Sequence, residues 1–171
     1  MRYVLSLLAA ILLFSSFCAA EQGQKQRGPS TAEERARFVS IAHKYESNPL
    51  DPAIKKDQEW AILWLIEVPD IHTKMCTDAL GKAYNKEKYT HAPEMVAQML
   101  LSSGAFVIEN PEKAKDDKAQ YLAGAEGVLK AYQSIIKEQP QARSKALDDL
   151  LQKQSQGELA DFVRDASKKC K

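Results

Sequence analysis

The chain has 171 residues, 44% of them hydrophobic and 27% charged, with a formal net charge of +1, which suits one ordinary globular domain. Basic and acidic residues are interspersed throughout, so there is neither an electropositive field for nucleic acid or an anionic membrane nor an acidic tail.

The chain opens with Arg2, an apolar run from Val4 to Phe14, and small residues at Cys18, Ala19 and Ala20. That is the layout of a secretory signal peptide, residues 1–20, cleaved after Ala20. The run is too short to be a membrane anchor, and Phe17 is too large to precede a lipidated Cys18. The expected product is a formally neutral protein, secreted or periplasmic, with no membrane span. Residues 21–29, EQGQKQRGP, have nothing to bury and read as a disordered leader. Residues 30–171 read as a single helical domain.

Ser30 or Thr31 begins the first helix, each with a Glu three residues on that can close a capping box. Phe38, Ile41, Ala42 and Tyr45 form its apolar stripe, and Asn48 with Pro49 ends it. Asp51 and Pro52 mark the start of the second helix. This one carries EWAILWLIEVPD, residues 59–70, apolar without interruption from Trp60 to Ile66. A helix apolar on all sides is expected to be surrounded by other elements, which makes this segment the hub of the core. Pro69 stops it near Val68.

Asp70 is placed to cap a third helix with Ile71, Met75, Ala79, Leu80 and Ala83 at core spacing, ending at Gly81 or Asn85. The fourth is expected over Ala92 to Glu109, continuous through Ser102, Ser103 and Gly104, which form a notch for a closely packed neighbour. The fifth follows Asn110 and Pro111, with Tyr121, Leu122, Ala125, Val128, Leu129, Tyr132, Ile135 and Ile136 as its stripe and Gly124 and Gly127 within it. Pro140 begins a sixth helix containing Leu147, Leu150 and Leu151. Gly157 separates it from a seventh with Leu159, Phe162, Val163 and Ala166, where Asp165 can pair with Lys168 or Lys169. No segment alternates with a period of two. The fold class is therefore all-α, a compact bundle or short stack of about seven antiparallel helices.

The segment AEGVLKAYQSIIKEQP, residues 125–140, resembles the second helix of a tetratricopeptide repeat in part. The spacing of its small residues differs, and no second copy stands about 34 residues away. The combination of EWAILWLIEVPD, AGAEGVLKAYQSI (residues 123–135) and a closing KKC (residues 168–170) resembles small secreted all-helical bacterial proteins of unassigned activity. That resemblance implies a single exported helical domain and brings no catalytic or binding residue with it.

Motifs for chemistry are sparse. Cys76 and Cys170 remain after signal cleavage, an even count that suggests a disulfide in an exported protein. Such a bridge stabilises by about 4 kcal/mol in the chain-entropy model, less any strain. Without a Cys-x-x-Cys pair, redox catalysis has no basis. His43, His72 and His91 lie on separate segments without zinc-ligand spacing, so neither a metal site nor a cofactor is expected. Ser102 and Ser103 lie in a helical pattern and not at a nucleophile elbow. The pairs Asp116, Asp117 and Asp148, Asp149 read as solvated charge. The expected function is a non-enzymatic protein-interaction module whose partner is another protein. The alternative is a carrier of a small apolar ligand, held by Trp60, Trp64, Tyr121 and Tyr132 between the Trp-bearing helix and the fifth helix.

Overall fold

A computed structural model describes residues 27–81 and 89–170. The predicted signal peptide, most of the leader, and Ala83 and Asn85 of the predicted third helix lie outside the described residues. Among the described residues there is no strand. The described residues hold six α-helices: α1 (Ala32–Ser47), α2 (Lys55–Glu67), α3 (Ala92–Glu109), α4 (Asp117–Glu138), α5 (Lys145–Ser155) and α6 (Leu159–Ala166).

Local chemistry sets most of the helix boundaries. At the start of α1, Thr31 Oγ1 accepts from Glu34 N (3.2 Å) while Glu34 Oε2 accepts from Thr31 N (2.9 Å), the reciprocal capping box. The carboxyl of Glu34 is held below its ordinary range, chiefly by that backbone bond. Asp51 Oδ1 accepts from Ala53 N at 2.8 Å, and a single 3-10 turn, Pro52–Ile54, leads into α2. The same device recurs. Pro111–Lys113 precedes α4 and Pro140–Ala142 precedes α5, each a 3-10 turn opened by proline. Predicted starts at Pro111 and Pro140 thus fall on these turns, and α4 proper is capped by Asp116, which accepts from Lys118 N and Ala119 N at 3.0 and 3.1 Å.

The third predicted helix is where the described structure departs from expectation. Residues 70–76 are not helical, and between them and Gly81, where the described residues break off, there is a short 3-10 turn, Thr77–Leu80. Instead of capping a following helix, Asp70 reaches back to the start of α1. Its carboxylate accepts from Ser30 N and Ser30 Oγ, both at 2.8 Å, and from Arg35 Nη2 at 2.8 Å. Burial pushes its pKa up, and the bonds from Ser30 and Arg35 outweigh that and leave it lowered. The stretch also has to span a distance. Ile71 is buried in one apolar cluster and Cys76, Ala79 and Leu80 in another, and an open chain advances about twice as far per residue as a helix.

Those two clusters organise the molecule. One gathers Phe38, Ile41, Ala42 and Tyr45 of α1, Ala61, Trp64 and Leu65 of α2, and Ala97, Leu101, Ala105 and Val107 of α3. The other gathers Met95 and Met99 of α3, most of the α4 stripe, and Leu147, Leu150, Leu159 and Val163 of α5 and α6. Helix α3 feeds both, and its contact with α4 is the most extensive between any two helices. Ser102 and Ser103 of the predicted notch make that contact, while Gly104 lies against Phe38 of α1 and Leu65 of α2. A Cβ on Gly127 would stand 1.8 Å from Ser102 Oγ, and one on Gly124 would stand 2.7 Å from Ser103 Oγ. The two helices therefore meet backbone to small side chain, and both glycines are required by the approach.

Candidate functional site

The aromatic residues singled out from the sequence divide between the two clusters. On α2, Trp60 and Trp64 stack with ring centroids 5.9 Å apart, and Phe38 of α1 lies 5.0 Å from Trp64. The guanidinium of Arg37 sits 3.8 Å from the Trp60 centroid and that of Arg27 sits 5.7 Å from Trp64, so cations from α1 and from the segment before it cover the indoles. Tyr121 and Tyr132 belong to the other cluster. The Tyr132 hydroxyl accepts from Ser144 N at 2.8 Å and donates to Asp148 Oδ1 at 2.9 Å, tying α4 to the start of α5. The structure brings Trp60 to Trp64 but does not place the tryptophans and the tyrosines in one cluster.

The paired carboxylates have specific partners. Asp116 is the cap of α4, Asp117 accepts from Lys74 Nζ at 2.9 Å, Asp148 holds Tyr132 and Arg143, and Asp149 accepts from Lys145 Nζ at 3.2 Å. Asp165 pairs with Lys168 at 2.9 Å. Cys76 and Cys170 stand at disulfide distance, with Cα atoms 6.0 Å apart.

The histidines occupy three unrelated settings. His72 is exposed on the loop after α2. His91 Nε2 faces Gln139 Oε1 at 3.2 Å. His43 presents its two ring nitrogens to different carboxylates, Nδ1 to Glu46 Oε2 at 3.4 Å and Nε2 to Glu109 Oε1 at 3.0 Å. Each carboxylate asks for an N–H, so the imidazolium is favoured. The His43 pKa is raised, first by the bond to Glu109, then against partial burial by the bond to Glu46. Because the acids sit on opposite edges of the ring, they do not converge on one point. Among the described residues no three His, Cys, Asp or Glu form a metal-ligand group.

The outward face of α2 is the feature that the sequence reading missed. Ala61, Trp64 and Leu65 are buried against α1 and α3, and the opposite side of the helix is open. Leu63 is 58% exposed and Ile66 72% exposed, one turn apart on that open side. Ile62 beside them is half-buried. The expected surrounded hub is therefore covered on one side only. A signal for this was present: at 100° per residue, Lys55, Lys56 and Glu59 share a face with Leu63 and Ile66, and charges mark a solvent-facing side. Among the described residues no helix is long and apolar enough to cross a membrane.

No protein-family model matches the chain, and no solved structure matches it. A stretch of 65 residues is 35% identical to Nodulation protein S of Azorhizobium caulinodans, a likeness that takes in 38% of this chain and 31% of that protein. The chain thus spans less than a third of the length of that curated relative.

Proposed function

We propose that this is an exported, non-enzymatic helical domain that binds another protein through the outer face of α2. The observation that carries the reading is the exposure of Leu63 and Ile66 on a helix whose inner side is fixed by the Phe38, Trp60 and Trp64 stack. A rigid helix that presents a pair of large aliphatic side chains suits the apolar side of a second amphipathic helix, and such a pair on an anchored element is what an interface core needs. Export is supported by the signal-like residues 1–20 and by two cysteines at disulfide distance in the remainder.

The test is site-specific photocrosslinking in the exporting host, with a photoreactive residue at position 66 and, as control, at exposed Gln141. We expect a discrete adduct from position 66 and none from 141. Leu63→Asp in the same chain should abolish the adduct without changing the melting temperature. No adduct from position 66, or one that survives Leu63→Asp, would sink the reading.

A further inference from the structure

Between the last turn of α1 and one side of α4 lies a recess of about 300 Å³ lined by Glu46, Ser47, Lys130, Gln133, Ser134 and Lys137, all polar. The four residues from α4 follow one another at helical spacing and so form a single wall. Its floor is the carboxylate of Glu46, whose side chain is only 11% exposed. Lys130 Nζ donates to Glu46 Oε2 at 3.1 Å, Ser102 Oγ donates to Glu46 Oε1 at 3.3 Å, and Ser134 Oγ donates to the Glu46 carbonyl at 3.0 Å.

A buried relay stands behind that floor. Gln98, fully buried, lies with its amide nitrogen 3.4 Å from the Ala42 carbonyl and 2.6 Å from Ser102 Oγ. A backbone carbonyl only accepts, so the nitrogen is the amide atom that must face Ala42. Ser102 then accepts from Gln98 and turns its own proton onto Glu46. An aliphatic residue would fill the Gln98 position at lower cost in polar desolvation, since Gln98 Oε1 has no protein partner. What the glutamine supplies is a fixed orientation for Glu46, and supporting bonds of this kind are what hold a binding group in place.

We propose that this recess binds a small hydroxylated carboxylate, with its anionic end on Lys137 and its hydroxyls on Glu46 and Gln133. Lys130 is compensated by Glu46, and His43, which also reaches Glu46 Oε2, is answered by Glu109, whereas Lys137 makes no ion pair among the described residues, so the recess carries one spare positive charge. A multiply charged anion would meet the Glu46 carboxylate on the floor. A neutral polyol would leave Lys137 unanswered. A ligand that accepts from a lysine at one end and donates from hydroxyls at the other satisfies both. The volume lies at the small end of ligand sites, and because the recess is widely open to solvent and lined only by polar residues, the affinity should be in the millimolar range.

The inference is independent of the α2 docking face, and its test separates the two. Amide chemical shifts of the signal-cleaved chain would be followed during titration with sodium glucuronate, with glucose and sodium acetate as arms that lack the charge and the hydroxyls. We expect saturable shifts at residues 46, 47 and 130–137 with glucuronate, and at least about fivefold weaker binding of the other two. Lys137→Gln, a change at an exposed position, should weaken glucuronate by a similar factor. Ile66→Glu should leave it unchanged. Absence of saturation up to about 50 mM glucuronate, equal binding of acetate, or an unaltered affinity in Lys137→Gln overturns the proposal.

Discussion

His43 shows how a single side chain can tie two helices with a strength that depends on pH. It stands on α1 between Glu46 of the same helix and Glu109 at the end of α3, and the bond to Glu109, followed by that to Glu46, raises its pKa. A group whose pKa is higher folded than unfolded contributes stability that is complete below the unfolded value, about 6.5 for histidine, and is lost as pH rises through the folded value. Unfolding free energy should therefore fall as pH is raised from that value through the folded one, and His43→Gln should flatten that part of the profile. The ring is about half exposed, so solvent screening keeps the effect below about 1 kcal/mol. Urea midpoints measured across this window in both proteins provide the check, and identical slopes would mean that His43 does not couple α1 to α3. Asp70 illustrates the opposite case: its lowered pKa makes its bonds to Ser30 and Arg35 an asset above the unfolded value, lost only in acid.

At the level of elements, α2 carries two opposite roles on two sides. Trp64 is 2% exposed and packed between Phe38 and Trp60, so Trp64→Ala should destabilise by about 3 to 5 kcal/mol. Leu63→Ala and Ile66→Ala, on the open side, should stay within about 0.5 kcal/mol. Urea unfolding of the three variants decides it: a loss below about 1 kcal/mol for Trp64→Ala would remove the helix from the core. The same contrast explains how much the sequence disclosed. Strong periodicity and punctuation located α1, α3 and α4, and the small residues at 102–104 disclosed a close neighbour but not that Gly124 and Gly127 would supply it. Continuous apolarity in α2 marked its importance and masked its open side, which only the charges of Lys55, Lys56 and Glu59 on the same face signalled. The predicted start of the third helix at Asp70 failed for a reason that lies outside the segment. Asp70 has the right chemistry for a cap, and nothing local announces that α1, 40 residues earlier in the chain, takes its carboxylate. Glu46 and Gln98 carried no motif at all, since the bonds that link them to each other's helix and to Lys130 of α4 form only when α1, α3 and α4 come together.

At the scale of the whole molecule, Cys76 and Cys170 join the segment that crosses between the two apolar clusters to the end of the chain. They are 94 residues apart in sequence and 6.0 Å apart in Cα position. Helix α6 has eight residues, too few to persist alone. It packs on α4, on α5 and on the 3-10 turn that follows Cys76, with Leu159 and Val163 buried and the ring of Phe162 covering Gly81. A bond between the cysteines would close the loop containing α3 to α6 and narrow the unfolded ensemble, worth about 4 kcal/mol in the chain-entropy model. For a domain of this size that corresponds to roughly 8 to 16 °C in melting temperature. Reductant should therefore lower the melting point of the oxidised protein by that amount, Cys170→Ser should reproduce the drop, and reductant should do nothing further to the variant. Intact mass should fall short of the reduced sequence by two hydrogens, with no thiol labelled in denaturant. If both cysteines label, the bond is absent, and α6 is held by Leu159, Phe162 and Val163 alone.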